Sequence, residues 1–247
     1  MSLIKDKKEI QIMAEGGKIL AEVLAEVQKM AKPGITTLEL DRASEALILK
    51  KGAKPAFKGY DNFPYSLCAS VNDVIVHGFP SNYRLKDGDV VGLDLGVLWK
   101  GYNTDMAVTV AIGNVSFEAK RLLQVTKKAL KLGIKKARSG VTTGDVGNTI
   151  QRYVEDQGYG VVRDLCGHGI GKEVHEDPQV PNYGQRHKGM ELKEGMVICI
   201  EPMVTMGKYQ LRKARDGYGF ATIDGSLSAH FEHTIVITKD GCRVLTE

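Results

Sequence analysis

The chain carries an internal repeat, which restricts it to folds in which two similar half-units pack against each other. Pro33-Gly34-Ile35-Thr36-Thr37 recurs as Ser139-Gly140-Val141-Thr142-Thr143, and Gly52 recurs as Gly158, both displaced by 106 residues (34 to 140, 52 to 158). Leu85-Lys86-Asp87-Gly88-Asp89-Val90 recurs as Leu192-Lys193-Glu194-Gly195-Met196-Val197, displaced by 107 (85 to 192). Agreement of separate landmarks on nearly one offset argues against coincidence. The second match sets Asp94 against Glu201. Looser matches set Val76-His77-Gly78 against Gly167-His168-Gly169, and Asp105-Met106-Ala107-Val108 against Glu232-His233-Thr234-Ile235. Each half thus supplies a His-Gly turn, a strand-borne acid and a second acid opening a later strand.

Within each half the pattern reads as a helix pair followed by strands. Ile10, Met13, Ile19, Leu20, Val23, Leu24 and Val27 fall near helical spacing in residues 5–30, and Lys32-Pro33-Gly34 stops that helix. Thr36 and Glu39 have the spacing of a capping box for a second helix ending at Gly52. The second half repeats this over about 118–137 and 144–157. Strands are expected near 66–77, 89–98, 103–112, 161–166, 196–201, 209–213, 217–224 and 230–237. These elements predict an α+β fold of pseudo-two-fold symmetry, with helices covering a curved antiparallel sheet. The expectation is one domain over residues 1–247, its halves about 5–113 and 114–240, with a ligand cleft between them.

Three strand-like runs carry an acid where an apolar residue belongs. Asp94 lies in Val90-Val91-Gly92-Leu93-Asp94-Leu95, Glu201 closes Met196-Val197-Ile198-Cys199-Ile200-Glu201, and Glu232 precedes Thr234-Ile235-Val236-Ile237. A buried, unpartnered carboxylate costs several kcal/mol, so the set calls for positive charge in the interior. With Asp105 and His168 added, four carboxylates balance two divalent cations, and a carboxylate can bridge two metals where one imidazole nitrogen cannot. Paired metals about 3.5–4 Å apart acidify a shared water, so hydrolysis is the expected reaction class. Each residue also has a plain structural reading. Asp105 suits a turn or cap, His168 a hydrogen-bonded turn, His77 and His175 a surface or core, and Glu232 cross-strand pairing. Cys199 reads as packing.

The net charge of +4 comes from lysines scattered through the helices, which reads as a solvated surface and argues against nucleic acid as substrate. Four cysteines without a C-x-x-C pair suit reduced thiols of a cytoplasmic protein. No apolar signal core opens the chain, and no run approaches the roughly 20 apolar residues of a membrane span.

Asp94 and Asp105 eleven apart, Cys166-Gly167-His168-Gly169-Ile170-Gly171, His175-Glu176-Asp177-Pro178, Ile200-Glu201-Pro202 and Ser228-Ala229-His230-Phe231-Glu232-His233-Thr234 closely resemble the methionine aminopeptidase family. The likeness runs over essentially the whole chain. The 31 residues from Glu201 to Glu232 leave no room for a type II helical insertion, so the chain resembles the short bacterial type I form. The resemblance implies the pita-bread fold and removal of the initiator methionine from nascent polypeptides, with a small uncharged second residue preferred. It implies that Asp94 chelates one metal, Asp105 and Glu232 bridge both, and His168 with Glu201 completes the other. It makes Glu201 the proton shuttle, His175 the contact to the scissile carbonyl oxygen, and His77 the contact to the peptide nitrogen.

In relatives the methionine pocket is lined at the positions of Tyr60, Cys68, Val174 and Tyr218. Several members carry an aromatic at the Val174 position, Trp at Tyr218 and Cys at Phe57, departures that bear on pocket depth and leave the reaction unchanged. The metals expected are two of Co²⁺, Mn²⁺, Fe²⁺ or Zn²⁺. The expected partner is a nascent N-terminus beginning with Met, met by a monomer in contact with the ribosome surface. Two other readings stay open at this point: an X-Pro aminopeptidase or dipeptidase of the same fold, and a non-catalytic peptide-binding module.

Overall fold

The same device starts the second helix of each half. In the computed structural model, which describes residues 3–247, Thr36 and Thr142 each accept a hydrogen bond from a backbone N–H three residues on, while the side chains of Glu39 and Asp145 reach back to the cap backbone. These reciprocal boxes satisfy donors that a helix start leaves open. They begin α2 (Thr37–Lys50) and α4 (Thr143–Asp156), which follow α1 (Lys7–Met30) and α3 (Phe117–Lys136). Gly52 and Gly158 lie just past the two ends at φ of 77° and 83°, a left-handed backbone that L side chains adopt only under strain. The expected helix at 5–30 begins at Lys7, because Asp6 caps it in a third box with Glu9.

Each half buries its own helices. Leu20, Leu24, Leu40 and Ile48 of α1 and α2 pack with Leu93 and Leu95, while Leu122, Leu130, Val146 and Ile150 of α3 and α4 pack with Ile198 and Ile235. The strands are antiparallel as expected, but hydrogen bonding divides them, among the described residues, into four sheets. Val90–Trp99 and Tyr102–Ala111 form a hairpin along their full length, with Leu67–Val71 on the other side of Val90–Trp99. Val197–Ile200 sits at the centre of a five-stranded sheet between His233–Ile237 and Cys166–Gly169. The edge of that sheet, Glu176–Pro181, has no counterpart among the expected strands. Pro178 and Pro181 hide its period, and an edge position tolerates their missing N–H groups.

Three expected strands are interrupted. The 66–77 run breaks at Asn72, whose φ is 57°, and 161–166 parts into Gly160–Val161 and Cys166–Gly169. His168 is therefore in a bulged strand, not a turn. The 230–237 run divides into Ser228–His230, which pairs with Met203–Thr205, and His233–Ile237, which pairs with Val197–Ile200. Glu201-Pro202 and Phe231-Glu232 are thus facing corners, bracketed by the pairs Ile200↔His233 and Met203↔His230, where two adjacent chains change sheet together. A corner frees each glutamate from the strict alternation of a strand, so both carboxylates can turn inward.

One ion pair fastens the start of the chain to this region. Lys5 Nζ lies 2.6 Å from Glu176 Oε2, the two side chains being 6% and 7% exposed. Removing one partner of a buried pair leaves a desolvated charge, at a cost of about 3–5 kcal/mol. Glu176→Gln is accordingly expected to lower the urea midpoint by that equivalent, and Lys5→Met with Glu176→Leu together to cost less than Glu176→Gln alone. A Glu176→Gln midpoint equal to wild type would show the pair to contribute nothing.

Candidate metal centre

Asp94 and Asp105 reach the same face by strand register. Asp94 pairs with Ala107 and Asp105 with Gly96, so the two acids are diagonal neighbours across the hairpin. Glu232 joins them because its backbone N–H donates to Ala107 O at 2.9 Å. Thr234 then locks the two acid-bearing segments. Its hydroxyl donates to Asp105 O at 2.8 Å and accepts from Asp105 N–H at 2.9 Å. Asn182 Nδ2 donates to Glu201 O at 2.9 Å and holds that corner.

His168 Nδ1 sits 2.8 Å from Gly169 O, a bond in which Nδ1–H donates and the Nε2 lone pair is left pointing at the acids. Nε2 lies 3.5 Å from Glu201 Oε1, 3.9 Å from Glu232 Oε1 and 4.0 Å from Asp105 Oδ2. All five residues are at most 8% exposed. Among the described residues, the ion-pair partners of these carboxylates are His168 and His230 alone, with no Lys or Arg.

The electrostatics follow from burial without a counter-charge. Desolvation first, and then mutual repulsion, pushes Asp105, Glu201 and Glu232 well above the usual carboxylate range, and desolvation also raises Asp94. Burial lowers His168 to about 3, so its imidazole is neutral and able to ligate. Asp94 Oδ1, Asp105 Oδ1, Glu232 Oε1 and His230 Nε2 have no hydrogen-bond partner. Orphaned buried polar atoms are uncommon, and four on one cluster mark a place built for a charged guest. Oxygen-rich donors with imidazole fit a divalent cation.

Among the described residues, donor atoms within 4.8 Å of one another form two triads, His168–Cys199–Glu232 and Asp94–His230–Glu232. Glu232 is common to both. Cys199 is the weak member, because burial and the nearby acids push its thiol well above the ordinary range and its Sγ already contacts Thr234 Oγ1 at 3.5 Å. That supports its reading as packing. His230 is the residue that motif reasoning passed over. Its signal was the i, i+2 spacing to Glu232, which can put both side chains on one side of the chain.

The five acid and imidazole residues line a cavity of about 330 Å³ with His77, His175, Tyr60, Cys68, Val174 and Tyr218, so all the expected site residues converge there. His175 is open to solvent at its edge, but the protein mass around it still lowers its pKa. Its Nδ1 lies 2.9 Å from Tyr60 Oη, and its ring meets His168 edge-on at 4.4 Å. His77 has a φ of 58°, a strained conformation for a residue with Cβ, of the kind that clusters at working sites. Burial lowers it to about 4, so it is a neutral hydrogen-bonding group near pH 7.

Phe57, Phe63 and Phe220 complete the apolar wall, which sequence spacing did not reveal. Tyr218 stacks on Phe79 at 4.9 Å and Phe63 meets both rings, so the wall is braced from behind. Phe57 closes over the hairpin because Gly96 is beneath it. A Cβ there would come within 2.6 Å of the phenyl ring.

The chain belongs to metallopeptidase family M24, whose profile matches residues 11–239. It is 49% identical over 246 residues to the methionine aminopeptidase of Clostridium perfringens, covering 100% of this chain and 99% of that one. The crystal structure of a methionine aminopeptidase from Thermotoga maritima superimposes with a TM-score of 0.97 at 43% identity, covering 99% of this chain and 98% of that one. A prolidase from Pyrococcus furiosus has the same fold with a TM-score of 0.81, but identity falls to 27% and only 65% of that longer chain is covered. Within M24 the similarity therefore lies with the methionine aminopeptidases, and the pita-bread architecture implied by the resemblance is the fold observed.

Proposed function

We propose that this protein is a metal-dependent methionine aminopeptidase that removes the first residue of nascent polypeptides beginning with Met, preferring a small second residue. The observation that carries this reading is the convergence of four buried carboxylates and His168 at the end of a single aromatic-walled cavity. Near-full-length similarity to methionine aminopeptidases supports it over X-Pro cleavage. A binding module that had lost catalysis would have no use for orphaned donor atoms in its interior.

In this reading Asp94 would hold one cation, Asp105 and Glu232 would each serve both, and His168 with Glu201 would complete the second. Bound there, the cations supply Lewis acidity that acidifies water and stabilises oxyanion charge. Phe57, Phe63, Tyr60, Cys68, Val174 and Tyr218 enclose an unbranched apolar side chain and exclude water from it. His175, oriented by Tyr60, hydrogen-bonds the scissile carbonyl oxygen, and neutral His77 hydrogen-bonds the peptide nitrogen. Glu201, placed beside both the attacking water and the departing amine in this reading, takes a proton from the one and delivers it to the other. We place this activity in a single two-half unit, a cytoplasmic monomer that meets its substrate at the ribosome. The nascent-chain substrate is what supports that placement.

Release of free methionine from Met-Gly-Met-Met by stripped protein, with and without Mn²⁺ or Co²⁺, tests the reading. Metal-dependent release is expected, and X-Pro peptides whose first residue is not Met should be left intact. Absence of release with every metal would overturn it. His175→Ala is expected to keep its metal and lose roughly 10²–10⁴-fold in kcat, the range of a positioned hydrogen-bonding group. Metal loss in that variant, read by elemental analysis, would mean that His175 is a ligand.

A further inference from the structure

We propose that His230 is a metal ligand: its Nε2 binds the cation held by Asp94 and Glu232, adding a second imidazole to the centre. The inference rests on the metal-dependent reading above. His230 is 3% exposed, and its Nε2 stands 3.5 Å from Glu201 Oε2 and 3.7 Å from Glu232 Oε2 while making no hydrogen bond. Asp94 and Glu232 each contribute an orphaned oxygen to the same cluster, and all three residues offer ligand atoms within 4.8 Å of one another. Metal–donor bonds of about 2.0–2.2 Å set adjacent donors roughly 3–3.5 Å apart, and the 3.7 Å from His230 Nε2 to Glu232 Oε2 is slightly wider than that.

A histidine that merely braced a neighbour would sit at ordinary bonding distance. Three other histidines do so: His168 to Gly169 O at 2.8 Å, His175 to Tyr60 Oη at 2.9 Å and His233 to Thr246 Oγ1 at 2.9 Å. His230 stands off from both carboxylates, leaving a gap that a cation fills. Its aim is built in, because Thr109 grips its backbone twice. The Thr109 hydroxyl donates to His230 O at 2.8 Å and accepts from His230 N–H at 2.9 Å. A second nitrogen donor biases the centre toward Co²⁺ and Zn²⁺ and away from Mn²⁺, which is content with oxygen.

Calorimetric titration of stripped wild type and His230→Gln with Co²⁺ and with Mn²⁺ tests this without reference to turnover. His230→Gln is expected to lose at least tenfold in Co²⁺ affinity at one site, to change much less toward Mn²⁺, and to shift the visible Co²⁺ spectrum. Proton NMR of the Co²⁺-loaded wild type, which needs no variant to fold, should show two exchangeable hyperfine-shifted imidazole N–H signals. One such signal, or a variant with unchanged Co²⁺ affinity and spectrum, overturns the role of His230 alone. A wild type that binds neither ion overturns the metal-dependent reading itself.

Discussion

Asp105→Asn is expected to reduce kcat/KM for Met-Gly-Met-Met by on the order of 10³-fold or more while raising the melting temperature of the metal-free protein. The loss follows because an amide binds a cation far less well than a carboxylate and cannot bridge two. Metal catalysis contributes several kcal/mol, and each 1.36 kcal/mol is a factor of about ten. The gain follows from the same crowding. Asp105 is 4% exposed, its carboxyl is pushed up by burial and by Glu232, Asp94 and Glu201, and its Oδ1 is orphaned. Replacing it with a neutral group of equal size removes a carboxyl that folding must either charge among like charges or hold protonated. A stabilisation of roughly 1–3 kcal/mol corresponds to several degrees in a chain of this length. Kinetics with saturating Mn²⁺ and calorimetry in EDTA check both halves, and wild-type activity or a lowered melting point would count against the ligand role.

The second large effect is a reversal of pH dependence by metal. Asp105, Glu201 and Glu232 have folded-state pKa values raised above their unfolded values, so the folded protein binds the extra protons. Their stabilising contribution is complete below the unfolded pKa and is lost as pH rises through the folded values. The buried histidines act oppositely. His168 at about 3 and His77 at about 4 are depressed, so their contribution is complete above the unfolded value of 6.5 and is lost as pH falls.

Between about pH 4.5 and 6.5 the two trends oppose each other, and above 6.5 the histidine contribution no longer changes. The metal-free protein is therefore expected to lose stability as pH rises above 6.5 through the raised values of the acids, at up to about 1.4 kcal/mol per pH unit for each excess proton. With Mn²⁺ the carboxylates are ionised by coordination, protons are released on binding, and the decline disappears. Melting curves across that range in EDTA and in Mn²⁺ decide the matter. A metal-free stability that rises with pH above 6.5 would contradict the buried-carboxylate account.

Local chemistry explains why so much was legible along the chain. Capping boxes at Thr36 and Thr142, and glycines past the ends of α2 and α4, work through residues three or four positions apart, so the repeat could be read without knowing what the helices pack against. Asp94, Glu201 and Glu232 stood out because an acid in an apolar run is anomalous wherever it occurs. Family resemblance then supplied Tyr60, Cys68, Val174, Tyr218, His77 and His175, all of which line the one cavity.

The chain alone thus determined the repeat, the helices and the identity of the acids, since each depends on neighbours in sequence. Tertiary structure decided which way those acids point. Asp94 and Asp105 share a face only because the hairpin register sets Asp94 against Ala107, and Glu201 and Glu232 meet only because two corners turn together between sheets. The unbonded Nε2 of His230 likewise depends on Thr109, 121 residues away, gripping its backbone. Distances of that kind are set by long-range pairing and close packing, where no periodicity of side chains records which strand will lie beside which.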